Sequence, residues 1–189
     1  AARRGPFARN VVVWAIDTLR ADQLKVYNPE SPVLTPALDE FVRDSVVFRH
    51  ALAAGGHSLP SHASLLLGQQ PVTHRVYIGD DRIAPTQVLL SRMVGAAGIH
   101  TGLISCNGYV SDRWGFSQGF ATYTNLLREG KGGTCERLVS EVETFLKARG
   151  DERFFLYLVP VEPHVPYRFR EAFTPGYDLP GPYNGMFMR

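Results

Sequence analysis

The chain has 189 residues, 44% of them hydrophobic, and carries 20 Lys and Arg against 18 Asp and Glu for a net charge of +2. That is enough apolar material for the core of one α/β domain and too little for two. Scattered arginines on a near-neutral chain give no nucleic-acid footprint, and no apolar run approaches the ~20 residues that span a bilayer.

Residues 1–9 place Arg3, Arg4 and Arg9 among Gly and Pro and read as a leader or linker. No signal-peptide core is visible in them. From residue 10 onward a single domain is expected. "NVVVWAI", residues 10–16, is a β-branched apolar run of the kind that predicts a strand covered on both faces, closed by Asp17. Thr35-Pro36 offers a helix start, with Leu38, Phe41 and Val42 as its apolar face. "SVVFRHAL", residues 45–52, reads as a second strand. Residues 61–67 follow Pro60 as a short helix that Gly68 stops, and a third helix is expected from Thr86 to Ala97 before Gly98. "HTGLIS" then predicts a strand. Residues 134–149 give an amphipathic helix with Leu138, Val142, Phe145 and Leu146 on one side and Gly150 at its end, and "RFFLYLV" gives a further buried strand. Strands alternating with helices predict a mainly parallel sheet with helices on both faces, a three-layer α/β sandwich. Residues 160–189 are rich in Pro, Gly and aromatics without a period, and read as a surface loop after which the domain looks incomplete at its C-terminal end.

In such a sheet, chemistry gathers at the carboxyl ends of strands. Three candidates fall there: Asp17 after the first strand, Ser58 after the second, and Glu162-Pro163-His164 after the last. Gly56-His57-Ser58 evokes the hydrolase elbow Gly-x-Ser-x-Gly, but that turn needs a glycine two places after the serine and this chain has Pro60. A carboxylate at a strand end holds a hard divalent cation through oxygen, and a hydroxyl in the first turn of a helix sits where an anionic ester and a developing alkoxide are favoured. His164, between two prolines, is placed to donate to an oxyanion or leaving group, and Tyr167 to line the pocket. Each residue also has an ordinary structural use. Asp17 suits an N-cap for "TLRADQL", Ser58 and Ser61 suit capping hydroxyls, and "EPHVPY" suits a rigid packing turn. His57, His62 and His74 suit the surface, with no pair at the i, i+4 spacing of a zinc protease. Cys106 and Cys135 lack metal-type spacing and are expected as two buried thiols, not as a disulfide or zinc site.

"NVVVWAIDTLRADQL", "SLPSHASLLLGQQPVTH" and "FFLYLVPVEPHVPY", in that order, resemble the opening, nucleophile and Pro-His segments of the sulfatase family in the alkaline phosphatase superfamily. "NGYVSDRWGFSQGFATY" resembles the loop after the middle strand of its bacterial members, and "DTLRAD" resembles the bacterial branch. The resemblance implies an alkaline phosphatase-like α/β sandwich, a sulfate ester of a small molecule or saccharide as substrate, a periplasmic or extracellular location, and a bound Ca²⁺, with Mg²⁺, Mn²⁺ or Zn²⁺ as alternatives. It implies metal ligation by Asp17 and Ser58, Ser58 as nucleophile or as precursor of a formylglycine, and His164 at the sulfate or leaving group. His62, Asn107, His164 and Tyr167 are the implied substrate-binding residues. Thr18 stands where many members carry a second metal-binding Asp, and His62 where the motif has an arginine that belongs to the modification signal. An unmodified Ser58 acting on phosphate or phosphonate esters therefore stays open. The family's later Asp-His ligands and lysine have no counterpart in residues 1–189, so the resemblance implies the N-terminal part of a catalytic domain or, as a further alternative, a non-catalytic relative.

Overall fold

The computed structural model describes residues 10–165. The leader, Tyr167 and the remainder of the Pro-rich C-terminal segment lie outside the described residues. In chain order the elements are β1 (Val11–Trp14), α1 (Pro36–Arg43), α2 (Ser58–Leu67), α3 (Pro71–His74), α4 (Leu90–Ala96), β2 (His100–Ser105), β3 (Thr122–Asn125), α5 (Cys135–Arg149) and β4 (Phe154–Val159), with 3-10 turns at Ala21–Gln23 and Asp112–Trp114. The four strands form one sheet in the order β1-β4-β2-β3, every pair parallel. All the carboxyl ends therefore share one edge.

β4 is the spine of this sheet. Its six residues are apolar throughout and buried, because it is paired on both sides and covered on both faces. Successive side chains point to opposite faces, so Phe155, Tyr157 and Val159 join a core with Leu59, Ala63 and Leu66 of α2 and Leu103 of β2. Phe154, Leu156 and Leu158 join a second core with Leu138 and Phe145 of α5 and Ile104 of β2. The two cores on opposite faces make the expected sandwich.

Several expectations are corrected. "SVVFRHAL" forms no strand: Val46, Phe48 and Leu52 are 82, 70 and 97% exposed. The segment is instead held by side chains, with Tyr27 Oη donating to the Phe48 carbonyl at 3.2 Å and Arg49 to the Val26 carbonyl at 3.2 Å. β propensity without a neighbouring backbone does not make a strand. Among the described residues β1 pairs with β4 alone and is not covered on both faces; Val11, Val12 and Trp14 are about half exposed there, and Val13 packs inward. On α1, Leu38 and Val42 are half-buried but Phe41 is exposed. Its Thr35 hydroxyl donates to Asp39 at 3.0 Å in place of capping the backbone. α4 begins at Leu90, not Thr86, because Gln87 closes a turn by accepting from Ala84 N–H at 2.8 Å. Leu146 of α5 faces outward, 42% exposed. The sequence reading also passed over α3 and β3, whose "TYTN" alternates polar side chains.

Candidate functional site

The carboxyl edge of the sheet is where the side chains of interest meet. Beyond β1 and β4 the ladder continues, with Ala15 N–H donating to Leu158 O at 2.9 Å and Asp17 N–H to Pro160 O at 3.0 Å. That pairing fixes Asp17 at the lip of the sheet. Thr18 follows with φ 56°, a left-handed conformation that is strained for a β-branched residue. Such an outlier at the turn after a strand end is typical of a chain bent to aim a functional group.

Ser58 arrives from the other side as the first residue of α2. Its neighbour His57 is the N-cap, in extended conformation, with Nδ1 accepting from Leu59 N–H at 3.4 Å. The capping use that Ser58 might have had is thus taken by His57, and Ser61 donates to the Gly55 carbonyl at 2.6 Å. Ser58 Oγ is left to donate to Asp17 Oδ2 at 3.1 Å. Asp17 is no N-cap either, since the nearby 3-10 turn is preceded by Arg20.

Asn107, two residues past β2, closes the cluster. Its Nδ2 donates to Ser58 Oγ at 3.1 Å and to Asp17 Oδ2. The amide orientation is set by the backbone: Oδ1 accepts from Tyr109 N–H at 2.7 Å and from Val110 N–H at 3.4 Å, so the NH₂ must face the carboxylate. Both ends of the Asn107 amide, a residue expected as a substrate contact, are engaged with protein, and the amide braces Asp17 against Ser58. Asn125 in turn holds the Asn107 carbonyl at 2.9 Å.

An open cleft of about 910 Å³ surrounds this cluster, lined among others by Asp17, Ser58, His62, Asn107, Glu162 and His164. His164 is exposed in the turn after β4. Its Nδ1–H donates to the Val165 carbonyl at 2.5 Å, which leaves Nε2 as the lone-pair nitrogen. Neither His62 nor His164 hydrogen-bonds to Ser58, Asp17 or Asn107. The structure thus joins Asp17, Ser58 and Asn107 directly, places His62 and His164 around them, and leaves Tyr167 outside the described residues. His62 and His74 are not surface groups: they are 6 and 4% exposed. His74 ties α3 to α2 through Ser64 Oγ at 2.9 Å. Burial lowers the pKa of His62 from 6.5 to about 4, against an opposing pull from Asp17. Burial, with Cys135 and Glu162 adding to it, pushes the Cys106 thiol up to about 12, so it lines the cleft as an inert thiol. Cys135 is only half-buried, and the two are not joined.

Sequence reasoning missed the aromatic rim of the cleft that Ser58 lines. His57 meets Tyr109 edge-on at 4.8 Å, Tyr109 leans on Trp114 at 5.6 Å, and the Arg113 guanidinium lies 5.0 Å over the Trp114 ring. The signal was present in "GYVSDRW", where two aromatics and an arginine follow a strand end.

Among the described residues no three His, Cys, Asp or Glu side chains cluster closely enough to hold an ion. A hard cation takes about six to eight oxygens. Asp17 and Ser58 would supply two of these, Asp17 through Oδ1, because Oδ2 already accepts from Ser58 and Asn107 while no hydrogen bond among the described residues reaches Oδ1.

A sequence model of the sulfatase family matches residues 9–183. This chain belongs to the sulfatase family. Its similarity to human N-sulphoglucosamine sulphohydrolase is 33% identity over 153 residues, covering 73% of this chain and 28% of that protein. Among solved folds, the crystal structure of Ps i-CgsB superposes with a TM-score of 0.68 at 17% identity, over 86% of this chain and 47% of the other. The chain thus spans less than half the length of either. The sulfatase fold reading and the parallel sheet agree.

Proposed function

We propose that this sulfatase-family chain forms the nucleophile-bearing part of an ester hydrolase acting on sulfate monoesters, with Ser58, or a formylglycine made from it, as the attacking group. The observation that carries this is the Asp17–Ser58–Asn107 cluster at the carboxyl edge of a parallel sheet and the first turn of α2. The name of the human relative supports a sulfated amino sugar as one substrate type. The Arg113-covered aromatic rim supports an anionic ring-bearing substrate, because a cation over an aromatic face offers both stacking and charge.

Asp17 accepts from Ser58 and draws electron density toward Oγ, and Asn107 holds both oxygens in place. The first turn of α2 favours the anionic ester there. His164 Nε2 is the candidate to hand a proton to the departing alcohol once protonated. In the formylglycine form, one hydroxyl of the hydrated aldehyde attacks sulfur as the ester S–O bond breaks and the alcohol leaves with a proton. The second hydroxyl then loses its proton, the aldehyde re-forms, and sulfate departs. Asp17 and Ser58 would hold Ca²⁺, or Mg²⁺, Mn²⁺ or Zn²⁺ in its place, and the ion when bound supplies neutralisation of the ester charge.

One feature favours a second reading. His62 occupies the place of the motif arginine, and an unmodified Ser58 suits phosphate or phosphonate esters. Peptide mass at Ser58 together with turnover of 4-methylumbelliferyl sulfate and phosphate decides between them. A peptide two hydrogens light with sulfate turnover supports the first reading. An unmodified serine with phosphate turnover supports the second, and a Ser58→Ala protein as active as the parent on both overturns each of them.

A further inference from the structure

His62 is almost fully buried in α2, yet it borders the cleft. Its Nδ1 lies 2.8 Å from Tyr157 Oη, a side chain of β4 that is 1% exposed, and the two rings meet edge-on at 5.8 Å. No other hydrogen bond reaches either group among the described residues. The direction of this bond is therefore determined. If Nδ1–H donated to the phenol oxygen, the phenol proton would be sealed in the core without an acceptor, a cost of about 1–3 kcal/mol. If the phenol donates to Nδ1, both groups are satisfied and the imidazole proton moves to Nε2. Nε2 has no protein partner, and it is not among the buried polar atoms left unsatisfied, which among the described residues are represented by Arg149 Nε. It opens on the cleft.

We propose that Tyr157 is a positioning residue that fixes His62 in the Nε2–H tautomer, so that His62 presents a neutral hydrogen-bond donor to an oxygen of the anionic ester bound beside Ser58. The donor role rests on the ester-hydrolase reading above; the tautomer does not. His62 departs here from a charged arginine, which would donate in several directions. A single oriented N–H from a rigid helix and strand gives less charge but a fixed direction. Burial, which disfavours the imidazolium, acts the same way.

The test is long-range ¹H–¹⁵N imidazole spectra of the whole protein at pH 7. Expected is a protonated Nε2 and an unprotonated Nδ1 for His62; a protonated Nδ1 overturns the proposal without any variant. Tyr157→Phe preserves the ring, and the expected result is loss of the single-tautomer pattern with about a tenfold fall in kcat on the hydrolysed ester and little change in KM. A pattern identical to the parent's also overturns it. Inorganic sulfate titrated into the parent is expected to shift the Hε2 and Nε2 signals of His62, and unshifted signals at high millimolar sulfate refute the donor role. Absence of ester turnover with the tautomer intact counts against the function proposed above and leaves Tyr157 as the device that sets the imidazole.

Discussion

Asn107 shows how much a single amide decides at this site. One NH₂ spans the carboxylate of Asp17 and the hydroxyl of Ser58, and a hydrogen bond to a charged group contributes about 1.5–3 kcal/mol. Asn107→Ala is expected to lower kcat by about ten- to a hundredfold with the fold retained, measured as turnover beside far-UV circular dichroism. Asn107→Asp is a sharper probe. The new carboxylate can still accept from Tyr109 N–H, but its second oxygen faces Asp17 Oδ2, so the pair is expected to bind Ca²⁺ more tightly than the parent while turnover drops. Calorimetric titration with Ca²⁺ reads the first effect, and equal or weaker affinity would contradict the geometry. His62 carries a pH signature of its own. Its folded pKa lies below the unfolded value, near 4 against 6.5, so the unfolded chain binds the extra proton in between. The neutral side chain's stabilisation is complete above about pH 6.5 and is lost as pH falls toward 4, by roughly 3 kcal/mol. Urea midpoints from pH 7 to 4 are expected to fall less steeply for His62→Gln than for the parent.

Among elements, β2 and α5 approach closely at Gly102. A Cβ built there would lie 2.5 Å from Phe145 Cε2 and 3.0 Å from Leu156 Cδ1, inside contact distance for groups that are themselves buried. Gly102→Ala is therefore expected to push α5 outward and to destabilise by about 1–3 kcal/mol in urea unfolding. Nothing in "HTGLIS" announces this role; a strand glycine reveals it only once the opposing helix is in place. The same division runs through the rest of the chain. β4 was legible as a continuous apolar run and α5 by its helical period, with Leu138 and Phe145 buried and Leu146 the exception, and Gly68 and Gly150 end the helices they were expected to end. Residues 45–52 misled because a strand is defined by its neighbour and "SVVFRHAL" has none among the described residues. β1 is a strand as expected, and among the described residues its one neighbour leaves apolar side chains uncovered. At the site, Asp17 and Ser58 stood out through their motifs. The orientation of Asn107 and the partnership of His62 with Tyr157 did not, because each depends on a contact between residues far apart in sequence.

Those separations are the whole-molecule feature of the site. Ser58 and Asp17 are 41 residues apart, Asn107 and Ser58 49, Asn107 and Asp17 90, and His62 and Tyr157 95. Each bond needs two elements, and the full set needs β1, α2, β2 and β4 in place together, so the complete site is a readout of the assembled sheet. The sequence contains two tryptophans, and they sit usefully: Trp14 on edge strand β1 and Trp114 on the cleft rim. β1 is held within the described residues by β4 on one side, which alone would let an edge strand open early. Asp17 ties it across to α2 and the end of β2, and that tie should make β1 unfold with everything else. Trp14→Phe and Trp114→Phe proteins, each with one reporter left, are expected to give coincident urea transitions that also match far-UV circular dichroism. Adding Asn107→Ala together with Ser58→Ala removes both hydrogen bonds that Asp17 receives from α2 and the end of β2. In that background the Trp14 reporter is expected to move to lower urea than the Trp114 reporter, and curves that stay superimposed would mean that strand pairing, and not the site's own hydrogen bonds, holds β1 in place.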